Sequence, residues 1–223
     1  MRRLIASTFV SLDGVMQAPG GQEEDATGGF TQGGWMFAHA QDESLDFSAG
    51  GFDSKHRELV LGRRTYEIFE AYWPYQSDDN PIARIFNATK KHVASRTLTT
   101  LDWNNSALLD GDVVLAIAAL KAQPGLDLQI IGSGNLIQTL QAASLIDEYV
   151  VWTFPIVLGR GKRLFGDAAK PLALRLVRSQ ISASGVVMST YVPDGDIQLG
   201  TFAEGTPSEK TLALRKRMAS EGW

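Results

Sequence analysis

Leu128-Gln129-Ile130-Ile131-Gly132-Ser133-Gly134-Asn135-Leu136-Ile137 reads as a strand that runs into a glycine bend and then a helix. Leu128 to Ile131 is mostly apolar and bulky, as a buried strand requires, and a helical pattern follows the bend through Leu140. Glycines at such a bend let another group approach the backbone closely. The first turn of the following helix offers unpaired N–H groups and a positive dipole end, which suits an anion. Taken alone, Gly-Ser-Gly serves equally well as a tight connection with no ligand. The common dinucleotide fingerprint, G-x-G-x-x-G/A, is not met, because Ile137 stands at its third position. Nor does an acid close the next strand: that strand, roughly Glu148 to Phe154, carries Asp147 and Glu148 at its beginning and ends in Phe154-Pro155.

Two further strand ends carry the same chemistry. Leu59-Val60-Leu61-Gly62-Arg63-Arg64-Thr65-Tyr66 is a short apolar strand, a glycine bend and a helix start, with two guanidinium groups able to engage phosphate oxygens bidentately. Val93-Ala94-Ser95-Arg96 is a third strand end finishing in a hydroxyl and an arginine. Ligands of open α/β sheets bind beyond the carboxyl ends of the strands. Three such ends on one edge point to an extended polyphosphate ligand. The competing reading pairs Arg63, Arg64 and Arg96 with surface carboxylates.

Outward from these turns the chain alternates strands with helices. Leu4 to Leu12 reads as a first strand closed by Asp13-Gly14, and Ala18 to Gly34 as a glycine-rich loop. Met36 to Arg57 has some helical spacing interrupted by Gly50-Gly51. A helix runs from Gly62 to about Ala71 and stops at Trp73-Pro74; Ile82 to Ala88 is a short helical turn and Lys91 to Ser95 a strand. Asp112 to Gln123 places Val113, Val114, Ile117 and Leu120 on one helical face before Pro124-Gly125. Leu172 to Ala183 and Val186 to Val192 pair around Ser184-Gly185, with Ile197 to Phe202 as a continuation; Ser208 to Ser220 is a mostly charged terminal helix. The expected fold is α/β, a mixed, mostly parallel sheet flanked by helices with antiparallel strands toward the C-terminus.

The bulk numbers exclude several classes. A length of 223 residues suits one domain with embellishments. A formal net charge of −4 argues against a general nucleic-acid binder. With no cysteine, disulfides, thiolate metal sites and cysteine nucleophiles are excluded, and His39, His56 and His92 lack metal-ligand spacing. The N-terminus turns polar at Ser7-Thr8, too soon for a signal-peptide core, and no apolar run reaches the roughly 18–20 residues of a spanning helix. The expectation is a cytoplasmic protein with a small-molecule partner, no membrane and no metal.

The order and spacing of the motifs resemble those of the dihydrofolate-reductase-like fold. Within it, they are similar to the reductase domain of riboflavin biosynthesis and its small stand-alone relatives. The resemblance covers roughly residues 1 to 203 and leaves 204 to 223 as a polar, helical extension. It rests on Ser11-Leu12-Asp13-Gly14, on Leu61-Gly62-Arg63-Arg64-Thr65-Tyr66, on Val93-Ala94-Ser95-Arg96-Thr97 and on Ile131-Gly132-Ser133-Gly134-Asn135-Leu136. Pro155-Ile156-Val157-Leu158-Gly159-Arg160-Gly161 and Gly185-Val186-Val187-Met188-Ser189-Thr190-Tyr191 complete it. The resemblance implies NADPH as cofactor, with Gly62, Arg63, Arg64 and Thr65 near its phosphates and Ser95 and Arg96 near the adenosine 2′-phosphate. Gly132, Ser133, Gly134, Asn135 and Leu136 would seat the pyrophosphate. Related folds often form homodimers, in which the helix around Leu212 to Met218 could take part.

Reduction needs a hydride donor, an electrophilic carbon and a proton. Asp13 is the acid of the first-strand motif, and equally the residue that a tight Asp-Gly turn prefers. Trp35, after two glycines, can stack on a flat heterocycle, whereas Met36 and Phe37 read as a hydrophobic plug beneath the loop. Arg160, with Lys162, can hold a substrate phosphate. The expected activity is NADPH-dependent reduction of a small heterocyclic, carbonyl or imine compound, 5-amino-6-(5-phosphoribosylamino)uracil among them. The alternatives are dihydrofolate-type reduction and a nucleotide-binding protein that kept the fold without the chemistry.

Overall fold

A computed structural model describes residues 1–42, 45, 57–166, 169–202 and 205–222. Eight strands form one sheet in the order β4-β3-β2-β5-β1-β6-β8-β7. They are β1 (Leu4–Ser11), β2 (Arg57–Gly62), β3 (Lys91–Ala94), β4 (Ser106–Leu108), β5 (Asp127–Ile131), β6 (Glu148–Phe154), β7 (Leu174–Ile181) and β8 (Val187–Pro193). β4, β3, β2, β5, β1 and β6 run parallel to one another, β8 pairs antiparallel with β6, and β7 pairs antiparallel with β8 at the far edge. The helices are α1 (Phe37–Ala40), α2 (Arg63–Glu70), α3 (Pro81–Ala88), α4 (Val113–Ala122), α5 (Gly134–Ala142) and α6 (Glu209–Glu221).

The period of two along each strand divides the core between the sheet faces. Leu4 and Ala6 of β1, Val60 of β2, and Leu128 and Ile130 of β5 pack with Ile117 and Leu120 of α4 and with Leu136, Ile137 and Leu140 of α5. On the opposite face, Leu59, Leu61, Val93 and Ile131 pack with Tyr66 of α2, Phe86 of α3 and Trp103. Further along that face, Ile5, Val150, Trp152, Phe154 and Met188 form a second cluster, against which Phe9, Trp35 and Met36 pack. Local chemistry sets the helix starts. Asn80 caps α3 ahead of Pro81, Asp112 caps α4 through the N–H groups of Val114 and Leu115, and Ser208 caps α6.

Three expectations are corrected. Ile197 to Phe202 form no strand: the β7–β8 ribbon is instead closed by the Asp194 N–H donating to the Ala173 carbonyl at 2.9 Å, and Leu199 and Phe202 lie exposed. Phe37 does not plug the core but is 71% exposed, while Met36 does pack inward. β4 went unforeseen because Ser106-Ala107-Leu108 has no apolar run; its pairing with β3 defines it. Most of the Met36–Arg57 segment, including Gly50-Gly51, lies outside the described residues, as does the boundary at 203–204.

Candidate functional site

The parallel order brings the carboxyl ends of β3, β2 and β5 side by side, with β1 and β6 next in line. The three phosphate-like turns of the sequence are therefore neighbours on one edge. Two of them are bolted together. The Gly62 N–H donates to Ser133 Oγ at 3.0 Å, and the Ser133 N–H donates to Thr65 Oγ1 at 2.9 Å. Ser133 Oγ donates in turn to the Ile131 carbonyl at 3.1 Å. Gly132 has φ +58°, and a Cβ there would stand 3.2 Å from Thr65 Cγ2, so glycine is favoured both by conformation and by the closeness of α2. Ser133 itself is left-handed, at φ +53°.

This lock assigns different tasks to the predicted residues. The Ser133 and Thr65 hydroxyls hold the two turns in register. Neither α2 nor α5 receives a side-chain cap at its start, and neither has an acid in its first turn. The positive ends of both helices thus lie side by side at the locked turns, with no acid in either first turn to offset them. Arg63 pairs with Glu67 at 3.4 Å within α2, as the carboxylate-pairing alternative expected. Arg64 and Arg96 are exposed and have no ion-pair partner among the described residues. Ser95 Oγ accepts the N–H groups of Thr97 at 3.1 Å and Leu98 at 2.9 Å, which fixes the turn that presents Arg96. Asn135 is exposed at the start of α5, whereas Leu136 is buried in the core below it.

Next along the same sheet edge, the loops after β1 and β6 are joined. Met16 N–H donates to the Lys162 carbonyl at 2.8 Å, and Val15 bridges Arg163. Asp13 is the clasp of this pair. Its carboxylate accepts from Ser11 Oγ at 2.6 Å and from the N–H groups of Leu158 at 3.0 Å and Gly159 at 2.9 Å, with the Arg163 guanidinium 3.5 Å away. The Ser11 hydroxyl and then the Leu158 N–H hold the carboxyl down to about 2. With its carboxylate engaged by Ser11 Oγ and by the N–H groups of Leu158 and Gly159, Asp13 holds the Leu158–Gly159 turn in place.

A cleft of about 430 Å³ opens between this turn, the start of α2 and the Ala18–Gly34 loop. Arg64, Arg160 and Lys162 line it, with Gly28, Gly29 and Gly161. Gln17 organises its wall: its amide donates to the carbonyls of Asp25 and Thr27 at 2.9 Å each, and its oxygen accepts the Lys162 N–H at 3.0 Å. Lys162 Nζ ion-pairs with Asp25 at 2.5 Å. Nothing in the sequence singled out Gln17, an isolated polar residue in a loop; Gly28-Gly29 was the visible signal of a wall with no side chains. Trp35 lies beside the cleft, packed on Val15, Ala18 and Phe30. Its indole N–H donates to the Gln17 carbonyl at 2.7 Å, and its ring meets Phe154 edge-on at 5.3 Å.

Residues 2–188 match the RibD C-terminal domain family. A curated relative, the uncharacterised protein YyaP of Bacillus subtilis, is 28% identical over 193 residues, covering 85% of this chain and 94% of its own. Among solved structures, a putative riboflavin biosynthesis protein from Shewanella superposes with a TM-score of 0.66 at 24% identity, over 87% of this chain and 100% of that one. A diaminohydroxyphosphoribosylaminopyrimidine deaminase/5-amino-6-(5-phosphoribosylamino)uracil reductase from Thermotoga maritima gives a TM-score of 0.56 at 12% identity. That alignment takes in 86% of this chain and 57% of the Thermotoga chain. These likenesses establish the expected dihydrofolate-reductase-like fold.

Proposed function

The chain belongs to the RibD C-terminal domain family, whose members are reductases, and from that premise we propose that it is an NADPH-dependent reductase of a small heterocyclic carbonyl or imine compound. The observation that carries this reading is the lock between Gly62, Ser133 and Thr65, which sets two uncapped helix starts side by side. Two adjacent helix starts suit a dinucleotide pyrophosphate. Arg96, just past the end of β3 and without an ion-pair partner among the described residues, suits a further phosphate on the adenosine side. The residues fit the cofactor, which when bound would supply a hydride.

The protein's own part is to bind, orient and enclose. The turns after β2 and β5 would hold the phosphates, and the Asp13 clasp would fix the neighbouring loops. Phe9 of β1 and Trp35, both half-buried, meet the buried Phe154 ring edge-on at the end of β6, and the area they leave uncovered would suit a planar ring. A pathway-specific version, reduction of 5-amino-6-(5-phosphoribosylamino)uracil, draws support from the name of the Thermotoga neighbour and from Arg160 beside the cleft.

Thermal unfolding with and without cofactor tests the reading. A ligand at 100 times its Kd adds about 2.7 kcal/mol of stability. NADPH should raise the melting temperature more than NADH. No rise with either at about a millimolar would place the affinity too low for the assignment. Screening heterocyclic carbonyl compounds for NADPH consumption would then identify the substrate.

A further inference from the structure

We propose that the cleft between Arg64, Arg160 and the Gly28–Gly29 turn is a phosphate seat gated by the Asp25–Lys162 ion pair, with which an incoming anion competes. The source of the phosphate, cofactor or substrate, rests on the reductase reading; the seat itself does not. Two guanidinium groups from distant parts of the chain border one cavity of about 430 Å³. Among the described residues neither has an ion-pair partner, although the chain carries 25 acidic residues. Two guanidinium groups lining one cleft can both contact a single bound dianion. Guanidinium forks also match phosphate oxygens bidentately.

The third cation is held differently. Lys162 Nζ lies 2.5 Å from Asp25 Oδ2 and 2.7 Å from Thr27 Oγ1. The backbones behind this pair are fixed by Gln17, which bonds the carbonyls of Asp25 and Thr27 and the N–H of Lys162. The wall therefore keeps its shape while the two charged side chains can change partners. Lys162 is still 40% exposed at its side chain, so exchange needs no unfolding. Gly28 and Gly29 have open space where a Cβ would stand, so a ligand can reach the loop backbone. Asp25 thus acts as a built-in competitor: it masks Lys162 until an anion seated on Arg64 and Arg160 draws the ammonium away.

Calorimetric titration of the full chain with ribose 5-phosphate and, separately, with NADPH tests the seat in wild type, Arg160→Gln and Asp25→Asn. Loss of a charge-assisted fork should weaken at least one of these probes by about tenfold in Arg160→Gln. Arg160→Lys should recover part of that loss. Asp25→Asn should tighten the same probe, because it frees Lys162; a purely structural role for Asp25 would weaken it. Weakening of ribose 5-phosphate alone assigns the seat to a substrate phosphate, and weakening of NADPH alone assigns it to the cofactor. If both probes stay within about twofold of wild type in Arg160→Gln, or if Asp25→Asn weakens binding, the seat is overturned. Wild type that binds ribose 5-phosphate but not NADPH would sink the reductase reading and leave the seat standing. Unchanged melting temperatures of Arg160→Gln and Asp25→Asn exclude misfolding as the cause.

Discussion

Ser133 donates its backbone N–H to the hydroxyl oxygen of Thr65 at 2.9 Å, joining two glycine turns that lie 68 residues apart in sequence. The bond is tertiary, yet its product is local: it sets the spacing between the starts of α2 and α5. Thr65→Val keeps the shape of the side chain and removes the acceptor, leaving a part-buried N–H without a partner. Such a loss costs about 1–2 kcal/mol. The variant should show that decrease in urea unfolding together with weaker NADPH binding, and Thr65→Ser should restore both. Unchanged NADPH affinity in Thr65→Val would mean that cofactor binding does not depend on the lock.

Asp13 provides a pH test. Its folded carboxyl is held down at about 2, below the ordinary value of 3.8, chiefly by the Ser11 hydroxyl and the Leu158 N–H. A depressed carboxyl stabilises the fold above the unfolded value, and that stability is lost as pH falls through the folded value. The contribution of Asp13 should therefore be complete at neutral pH, fade from about pH 4 and be gone below about pH 2. Asp13→Asn should lower stability at pH 7 by about 1 kcal/mol, and the difference from wild type should close only below about pH 2. The rate of NADPH consumption should fall without a shift in its pH optimum. A displaced optimum would instead make Asp13 a titrating catalytic group.

The fold was legible wherever side-chain type alone decides an element. Leu128 to Ile131 had to be buried, Gly132 had to bend, and Asp112 and Pro124 bracketed α4; each signal is short-range. That the turns after β3, β2 and β5 meet followed from parallel strands having their carboxyl ends on one edge. What stayed hidden depends on partners far along the chain. Asp13 read equally as a turn residue or an acid, because its N–H donors, Leu158 and Gly159, are set by the pairing of two loops. Gln17 carried no signal, since a glutamine is informative only once its three backbone partners are in place. Phe37 misled because hydrophobicity predicts burial in bulk and not for a single residue.

Gly161 should be the least replaceable glycine of the cleft. Its φ is +127°, and a Cβ would come within 2.5 Å of Val15 Cγ1 and 3.0 Å of the Phe30 ring. Both neighbours belong to a buried cluster and cannot withdraw cheaply. Gly161→Ala should destabilise by about 1–3 kcal/mol, through overpacking added to backbone strain. Gly159→Ala, at φ +72° with open space around it, carries the backbone cost alone. Equal melting temperatures for the two variants would show that the loop moves freely away from Val15.

Lys91 is fully buried at the start of β3, where its ammonium donates to the carbonyls of Thr89 at 2.7 Å and Asn104 at 3.0 Å and lies 4.1 Å from the Trp103 ring centre. Burial pushes its pKa down from 10.5 to about 7. Between those values the unfolded chain binds more protons than the folded one, so stability rises with pH over that interval. Wild type should accordingly gain stability from pH 7 toward 10, and Lys91→Met should flatten the rise. Trp103 fluorescence should follow the same titration in wild type. A flat stability profile over that interval would mean that the two carbonyls and the indole ring keep the ammonium charged throughout.

Arg96 offers the sharpest test of cofactor choice. It is exposed, stands on a turn fixed by Ser95 Oγ, and has no ion-pair partner among the described residues, so its removal costs the fold little. NADPH and NADH differ only in the 2′-phosphate. If Arg96 recognises that group, Arg96→Ala should weaken NADPH by about tenfold or more, the worth of a lost charge-assisted contact, and leave NADH within about twofold. The selectivity ratio, and not either affinity alone, is the informative quantity, because damage to the shared site would weaken both cofactors together. An unchanged ratio would remove Arg96 from the site and leave the 2′-phosphate to another cation of the same edge, with Arg63 and Arg64 next in line at the start of α2.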